Sequence, residues 1–140
     1  MSGLDRNLLG EKTEVVDRHL GRVAAKLPPA GSAFEPMTDA SDAVMFHLWL
    51  ATQVVLDLAV SASVACGLGA PKSYAEAFRK LAAAGKLEST LAERLVQAAG
   101  FRNIISHAYD TVDLAQIRKA ATDGPADLRA FLGALARAAT

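Results

Sequence analysis

The sequence predicts an all-α fold, a bundle of four to six helices in a single soluble domain spanning residues 1–140. Apolar residues recur at the spacing of one helical face in almost every segment. Neither the strict apolar–polar alternation of a strand nor the turn sequence of a hairpin is found. A chain of 140 residues can also bury a core without disulfides or a structural metal.

Prolines, glycines and capping residues divide the chain into its predicted helices. Pro28-Pro29 ends the first helix, because proline cannot continue the hydrogen-bond ladder. Asp39 and Asp42 are predicted to cap the second helix. Asp123-Gly124-Pro125 predicts a break that separates a fifth helix from a sixth. The predicted helices cover roughly residues 5–26, 39 to 67 or 69, 73–84, 88–109, 114–122 and 125 onward.

The apolar run from Ala43 to Ala70 is long enough to raise the question of a membrane span. Asp57 lies near its middle, and a carboxylate there costs roughly 2.5–3.5 kcal/mol on membrane insertion. A buried helix of the bundle, or one at a dimer interface, is therefore predicted, with no membrane contact. The N-terminus shows no secretory pattern and Cys66 is a lone cysteine, expected to be buried and unreactive. These features favour a cytoplasmic protein.

The charge balance counts against a protein that coats nucleic acid through charge alone, because 15 basic residues match 15 acidic ones. It leaves room for a local basic groove. Lys72, Arg79, Lys80 and Lys86 cluster around the third helix. A solvated helix face is the simpler interpretation, and a track for RNA is the alternative.

The fourth helix is apolar on two sides, which indicates a central position in a bundle. One side can pack within its own subunit and the other against a second copy. On a helical wheel, one sector contains Leu87, Leu91, Leu95, Ala98, Arg102, Ile105 and Tyr109, and the other contains Ala92, Val96, Ala99, Asn103 and His107.

The candidate catalytic groups lie at the end of this helix. Arg102 supplies a permanent planar cation suited to phosphate oxygens. His107 can exchange protons near neutral pH, and Asn103, four residues earlier, could orient its imidazole. Arg102 and His107 are five residues apart, about 140° around an ideal helix, so one helix aims them poorly at a common atom. A homodimer pairing two such helices would bring four groups around one cleft.

Two further residues are candidates for lining this cleft, Ser106 and Asp57. Asp57 belongs to a polar stripe with Gln53 and Ser61 on the second helix, bordered by His47. A structural hydrogen-bond network is the simpler interpretation of that stripe. No spacing of His, Cys, Asp and Glu indicates a metal site, and no glycine loop suited to phosphate is present.

The segment from Arg102 to Tyr109 matches the motif R-x4-H-x-Y and resembles HepT-type toxins of the HEPN superfamily of helical ribonucleases. Outside the motif, 71–78 through 91–95, 100–103 and 112–113 are also similar to that family. The similarity extends from about Leu48 to Asp113.

The resemblance implies a HEPN-like bundle, a homodimer with its active site at the subunit interface, and catalysis without metal or cofactor. It also implies a partner, an MntA-like nucleotidyltransferase antitoxin that neutralises the toxin by adding AMP to Tyr109. The resulting hypothesis is a metal-independent endoribonuclease of a type VII toxin–antitoxin pair, which cleaves RNA by attack of the 2′-hydroxyl. His107 would act as general base or acid, and Arg102 would stabilise charge on the phosphoryl oxygens.

Each of these residues also has a purely structural interpretation. Arg102 could pair with a carboxylate on a neighbouring helix, His107 could be a packing residue, Asn103 could bond to its local backbone, and Tyr109 could lie at the rim of the fold. Two alternative functions follow: a non-catalytic helical dimer that binds a partner, or the antidote half of a toxin–antitoxin pair.

Overall fold

The computed structural model describes residues 4–107 and 111–139. Helices make up almost all of this part of the chain, which contains no strand, so the all-α prediction is confirmed. The five helices found there agree with the predicted four to six. They are α1 (Arg6–Lys26), α2 (Asp39–Ala65), α3 (Tyr74–Ala83), α4 (Ser89–His107) and α5 (Leu114–Ala138).

The helix ends follow the local rules that the sequence suggested, with one change at α2. Asp5 caps α1 by accepting a hydrogen bond from the amide of Asn7 at 2.8 Å. The cap of α2 is Thr38, which forms a reciprocal capping box with Ser41. The predicted capping residues Asp39 and Asp42 lie instead in the first turn, where their charge is favourable at the positive end of the helix dipole.

The predicted break in the last third of the chain is wrong, because α5 runs without interruption through Pro125. A proline inside a helix costs about 3 kcal/mol. Full burial of a large apolar side chain returns about 1.5–3 kcal/mol, and the apolar stripe keeps its helical spacing across the proline. The stripe consists of Ile117, Ala121, Leu128, Phe131, Leu132 and Leu135, all buried. A break would turn one half of it away from the bundle.

Helix α2 packs against all four other helices of the described chain. Its length and mean hydropathy of 1.7 would allow it to cross a membrane, but half of its most apolar stretch is buried within the bundle. A core helix of a bundle has the same properties. Cys66, predicted to be buried, caps the C-terminus of α2 and is half-buried.

Two apolar clusters hold the helices together. The first cluster contains Phe78 and Phe131, whose rings meet edge to face at 5.5 Å between centroids. The second cluster lies where the beginning of α2 meets the end of α4, and it includes Val44, Leu48 and Ile105. Because Ile105 is buried there, the second cluster anchors the turn of α4 that carries the candidate catalytic residues.

Candidate active site at the end of α4

Arg102 extends from α4 between two aromatic rings supplied by other helices. Its guanidinium carbon lies 5.7 Å from the ring centroid of Trp49 on α2. The same atom lies 5.7 Å from the ring centroid of Tyr74, the first residue of α3. Each contact is within the range of a cation–π interaction. Three helices therefore determine where this one cation lies.

Ser106, one turn after Arg102, connects the arginine to the tryptophan. Its hydroxyl accepts a hydrogen bond from the Nε1 of Trp49 at 2.6 Å and donates one to the carbonyl of Arg102 at 3.1 Å. The Nη1 of Arg102 reaches the same hydroxyl only at 3.5 Å, the long limit of a hydrogen bond. Ser106 therefore fixes the tryptophan ring more firmly than it fixes the guanidinium.

The guanidinium of Arg102 is left with unused hydrogen-bond capacity. Its Nε is buried and has no hydrogen-bond partner, a state that costs about 1–3 kcal/mol. Within residues 4–107 and 111–139, no carboxylate forms an ion pair with it. The alternative in which Arg102 pairs with a carboxylate on a neighbouring helix is therefore not observed in this part of the chain.

His107 and Asn103 are both exposed, and the described residues show no hydrogen bond between them. His107 is the last residue of α4. Asn103 lines a groove of about 500 Å³ together with Tyr74, Lys72 and Ser73. Arg102 thus lies over two rings whereas His107 is exposed, and the described residues show no contact that brings the two together.

A second cavity, of about 800 Å³, is lined in part by Trp49. It is lined by the first turns of α2 and by the end of α4, and Ser106 contributes to its wall. Phe46 stands at this cavity with 59% of its surface exposed. Ser106 therefore lines a cavity whose wall also contains the rings of Phe46, His47 and Trp49. Its place in a catalytic cleft stays a prediction.

His47, in the wall of the same cavity, is paired with His19 of α1. Their Nδ1 atoms are 2.9 Å apart, so one ring donates a hydrogen bond to the other. The pKa of His47 lies below its ordinary value because burial disfavours the imidazolium and because His19 and Arg22 add positive charge nearby. His47 is therefore held neutral at neutral pH by its surroundings.

Asp57 is exposed and does not contact Arg102 directly. Its carboxylate accepts a hydrogen bond from the Nε2 of Gln53 at 2.9 Å. The same Gln53 nitrogen lies 3.3 Å from the hydroxyl of Tyr74. The polar stripe on α2 is thus a short hydrogen-bond network that ends at one of the two rings beside Arg102.

Two of the four basic residues around α3, Arg79 and Lys80, are paired with groups of the described chain. Arg79 forms two hydrogen bonds with Glu93, at 3.0 and 2.9 Å, and this contact is the main reason that the pKa of Glu93 is lowered. Lys80 donates to the carbonyl of Leu68 at 2.8 Å and lies 3.6 Å from Glu76. These pairings favour a solvated structural face over a track for RNA.

Two further predictions concern Tyr109 and a metal site. Tyr109 lies outside the described residues. For the metal site, the residues that are described contain no group of three or more His, Cys, Asp or Glu side chains able to hold an ion.

Trp49 and Tyr74 were not predicted as site residues. Trp49 is the single tryptophan of the chain and precedes Gln53 by one turn on the polar face of α2. That position on the face was the available indication, although the sequence alone does not show that α4 crosses there.

Comparison with known proteins gives a consistent result. A family model described as "Ribonuclease HepT-like" matches residues 20–135. No curated protein sequence matches the chain. Among solved structures, a tri-AMPylated Shewanella oneidensis HEPN toxin in complex with MNT antitoxin superposes with a TM-score of 0.82 at 23% identity, covering 91% of this chain and 95% of that one.

A toxin–antitoxin structure with AMP-PNP also gives a TM-score of 0.82, at 22% identity, over 91% of this chain and 96% of that one. A mutant of the toxin–antitoxin MntA–HpeT gives 0.81 at 22% identity, over 92% of this chain and 97% of that one. At these identities the structural matches establish the fold.

Proposed function

The chain belongs to the HepT-like ribonuclease family, and from this premise we propose that it is a metal-independent endoribonuclease, the toxin of a toxin–antitoxin pair. The observation that carries the proposal is the state of Arg102. Its guanidinium lies over two aromatic rings, is not paired with a carboxylate of the described chain, and keeps a buried Nε without a partner. An RNA phosphate at the Nη groups would supply acceptors that the described chain does not provide.

The proposed reaction is an internal transesterification of RNA. The 2′-oxygen attacks the adjacent phosphorus, the bond from phosphorus to the 5′-oxygen breaks, and the products are a 2′,3′-cyclic phosphate and a 5′-hydroxyl. One base accepts the proton of the 2′-hydroxyl, and one acid donates a proton to the leaving 5′-oxygen. His107 serves in this proton transfer, which is typically worth about 10²–10⁴-fold in rate.

Arg102 contributes by stabilising the negative charge that grows on the phosphoryl oxygens during attack. A preorganised cation in a partly dry site is more effective than water, because it need not reorient as the charge develops. DNA lacks the 2′-hydroxyl and is not cleaved by this mechanism.

A homodimer completes the proposed site. Arg102 lies between α2 and α3, whereas His107 is exposed at the end of α4, about 140° away around an ideal helix. A twofold axis beside α4 would allow the His107 of each subunit to face the Arg102 of the other. Phe46 and Ile104, which are 59% and 48% exposed, offer apolar surface for such a contact.

The proposed partner is a nucleotidyltransferase antitoxin in the cytoplasm. Solved structures of the same fold include a tri-AMPylated HEPN toxin bound to an MNT antitoxin. By analogy, the antitoxin of this chain would transfer AMP to Tyr109, seven residues after Arg102 in the motif. The added phosphate would compete for Arg102, and the nucleotide would cover the cleft that RNA enters.

The test is cleavage of a 5′-labelled RNA by the purified chain in excess EDTA, with the all-deoxy oligonucleotide of the same sequence beside it. Cleavage of RNA alone, leaving a cyclic phosphate, is expected. His107→Ala should lower the rate by about 10²–10⁴-fold without lowering the melting temperature. Arg129→Ala on the exposed surface of α5 is the control and should retain full activity.

Three results would contradict the proposal. The first is activity that EDTA abolishes and magnesium restores. The second is equal cleavage of DNA, and the third is full activity in His107→Ala. A folded dimer without any RNA cleavage would favour the alternative of a partner-binding module.

A further inference from the structure

Arg102 is held by the faces of two rings rather than by acceptors at its edge. The rings of Trp49 and Tyr74 are each 5.7 Å from its guanidinium carbon. Along the edge, Nε has no hydrogen-bond partner and Nη1 has only the contact of 3.5 Å to Ser106. Arg79, Arg94 and Arg129 differ, because each directs its edge at a carboxylate.

Holding a guanidinium by its faces and holding it by its edge have different chemical consequences. A carboxylate at the edge neutralises the charge and occupies the N–H groups that a phosphate needs. An aromatic face attracts the cation through its quadrupole and leaves those N–H groups free. Ring contacts can therefore position an arginine for phosphate while preserving its charge.

The two rings are themselves held in place by hydrogen bonds. The Nε1 of Trp49 donates to Ser106 at 2.6 Å, and Ser106 in turn donates to the carbonyl of Arg102. On the other side, the hydroxyl of Tyr74 lies 3.3 Å from Gln53, which donates to Asp57 at 2.9 Å. One hydrogen bond thus restrains the orientation of each ring before any ligand binds.

We propose that Trp49 and Tyr74 form an aromatic clamp that positions the edge of Arg102 for a backbone phosphate of the RNA substrate, and that Ser106 holds the tryptophan half of the clamp. The three are positioning residues, because they act through Arg102. The inference rests on the proposed function for the identity of the substrate.

The kinetic test compares ring-removing with ring-keeping substitutions. Trp49→Leu and Tyr74→Leu remove a π face, and each should lower kcat about tenfold, since one cation–π contact in a desolvated site is worth about that factor. KM should change less than about threefold, because the phosphoryl charge that Arg102 meets is largest in the transition state. Tyr74→Phe keeps its ring and should stay within about threefold of wild type. Trp49→Phe keeps a ring but loses the hydrogen bond to Ser106, so its kcat should lie between those of wild type and Trp49→Leu.

Phe34→Leu is the matched control. It removes the ring that lies 5.3 Å from the guanidinium carbon of Arg118, and it should leave kcat unchanged. Leucine variants that melt like wild type and retain the wild-type kcat would overturn the clamp. Phenylalanine variants as impaired as the leucine variants would also overturn it, because the loss of kcat would then not depend on the presence of an aromatic ring.

A binding measurement tests the clamp without relying on turnover. Trp49 is the only tryptophan, so its fluorescence reports directly on the clamp. Titration with inorganic phosphate should change this fluorescence in wild type and in Tyr74→Phe, should require more phosphate in Tyr74→Leu, and should produce no change in Arg102→Ala. The same response in wild type and Arg102→Ala, or no response in wild type, would overturn the inference.

The two measurements separate the clamp from the proposed function. If the wild type cleaves RNA and the leucine variants cleave it equally well, the clamp is wrong and the ribonuclease proposal stands. If phosphate binding depends on Arg102 and on the ring of Tyr74 and no RNA is cleaved, the clamp stands and the ribonuclease proposal is wrong.

Discussion

Arg102 and Arg118 are alike in one respect, since each contacts an aromatic ring that packs on the second cluster. Their edges differ. Arg118 donates to the carbonyls of Pro28 and Pro29 at 3.1 Å each and to that of Ser32 at 2.8 Å. Arg102 has an unpartnered Nε instead.

This difference in hydrogen bonding indicates a structural role for Arg118 and a functional role for Arg102. Arg118 satisfies the carbonyls of the segment after α1 and ties it to α5, so its hydrogen bonds stabilise the fold. The guanidinium of Arg102 makes only one long hydrogen bond within the described residues, at 3.5 Å to Ser106, although residues of three helices determine its position. A ring contact alone therefore does not mark a functional arginine, whereas a positioned cation with an unsatisfied edge does.

The largest effect is expected from truncating each arginine in turn. Arg102→Ala should lower kcat/KM by about 10²–10³-fold, the usual loss for a transition-state charge donor, with no decrease in stability. Arg118→Ala should keep the activity and lower the free energy of unfolding by about 1 kcal/mol, because three carbonyls of the segment after α1 lose a charged donor. RNA cleavage and urea denaturation of both variants measure this, and loss of stability in Arg102→Ala with retained activity would reverse the assignment.

A smaller effect is expected from keeping the charge and changing its shape. Lysine at position 102 retains a cation but lacks the planar fork and the flat face that lies over the rings. The kcat of Arg102→Lys should therefore be lower by about tenfold or more, because the free energy of one hydrogen bond to a charged group corresponds to about that factor in rate. Steady-state kinetics at saturating RNA would show it, and a lysine variant equal to wild type would mean that charge alone is sufficient.

The smallest effect concerns the His19–His47 pair and the dependence of stability on pH. Because folding lowers the pKa of His47, the unfolded chain takes up a proton at a higher pH than the folded chain. The contribution to stability is therefore complete above about pH 6.5, the ordinary histidine value, and is lost as the pH falls from there toward the folded pKa.

Melting temperatures measured from pH 7.5 down to 5 should accordingly fall more steeply for wild type than for His47→Gln. Parallel curves for the two proteins would show that His47 is not the responsible group. Since His47 lies in the wall of the cavity beside Ser106, activity should be followed over the same range to separate loss of fold from loss of catalysis.

The sequence predicts most of the fold because most of the helix ends are decided locally. Asp5, Ser73 and Asp113 cap their helices through their own side chains. Such caps can be predicted from the residue types. Pro125 is the exception. Its local preference for a helix start is overridden by burial of a stripe on both sides of it, and that burial depends on helices far away in the chain.

The candidate site is predicted only in part for the same reason. Arg102 and His107 belong to one local motif and could be named from it. Trp49 and Tyr74 come from other helices, and only the crossing of α2, α3 and α4 brings them to Arg102. Candidate catalytic residues within one motif can therefore be predicted from the sequence more easily than the residues of other helices that position them.

Complementation between inactive subunits tests the central claim most directly. Arg102→Ala and His107→Ala chains, carrying different tags and co-expressed, can be purified as a mixed dimer and assayed on RNA in EDTA. If Arg102 of one subunit works with His107 of the other, the mixed dimer contains one intact pair, and it should regain a substantial fraction of wild-type cleavage although each variant alone is inactive. A mixed dimer no more active than its parents would contradict a site shared between two subunits.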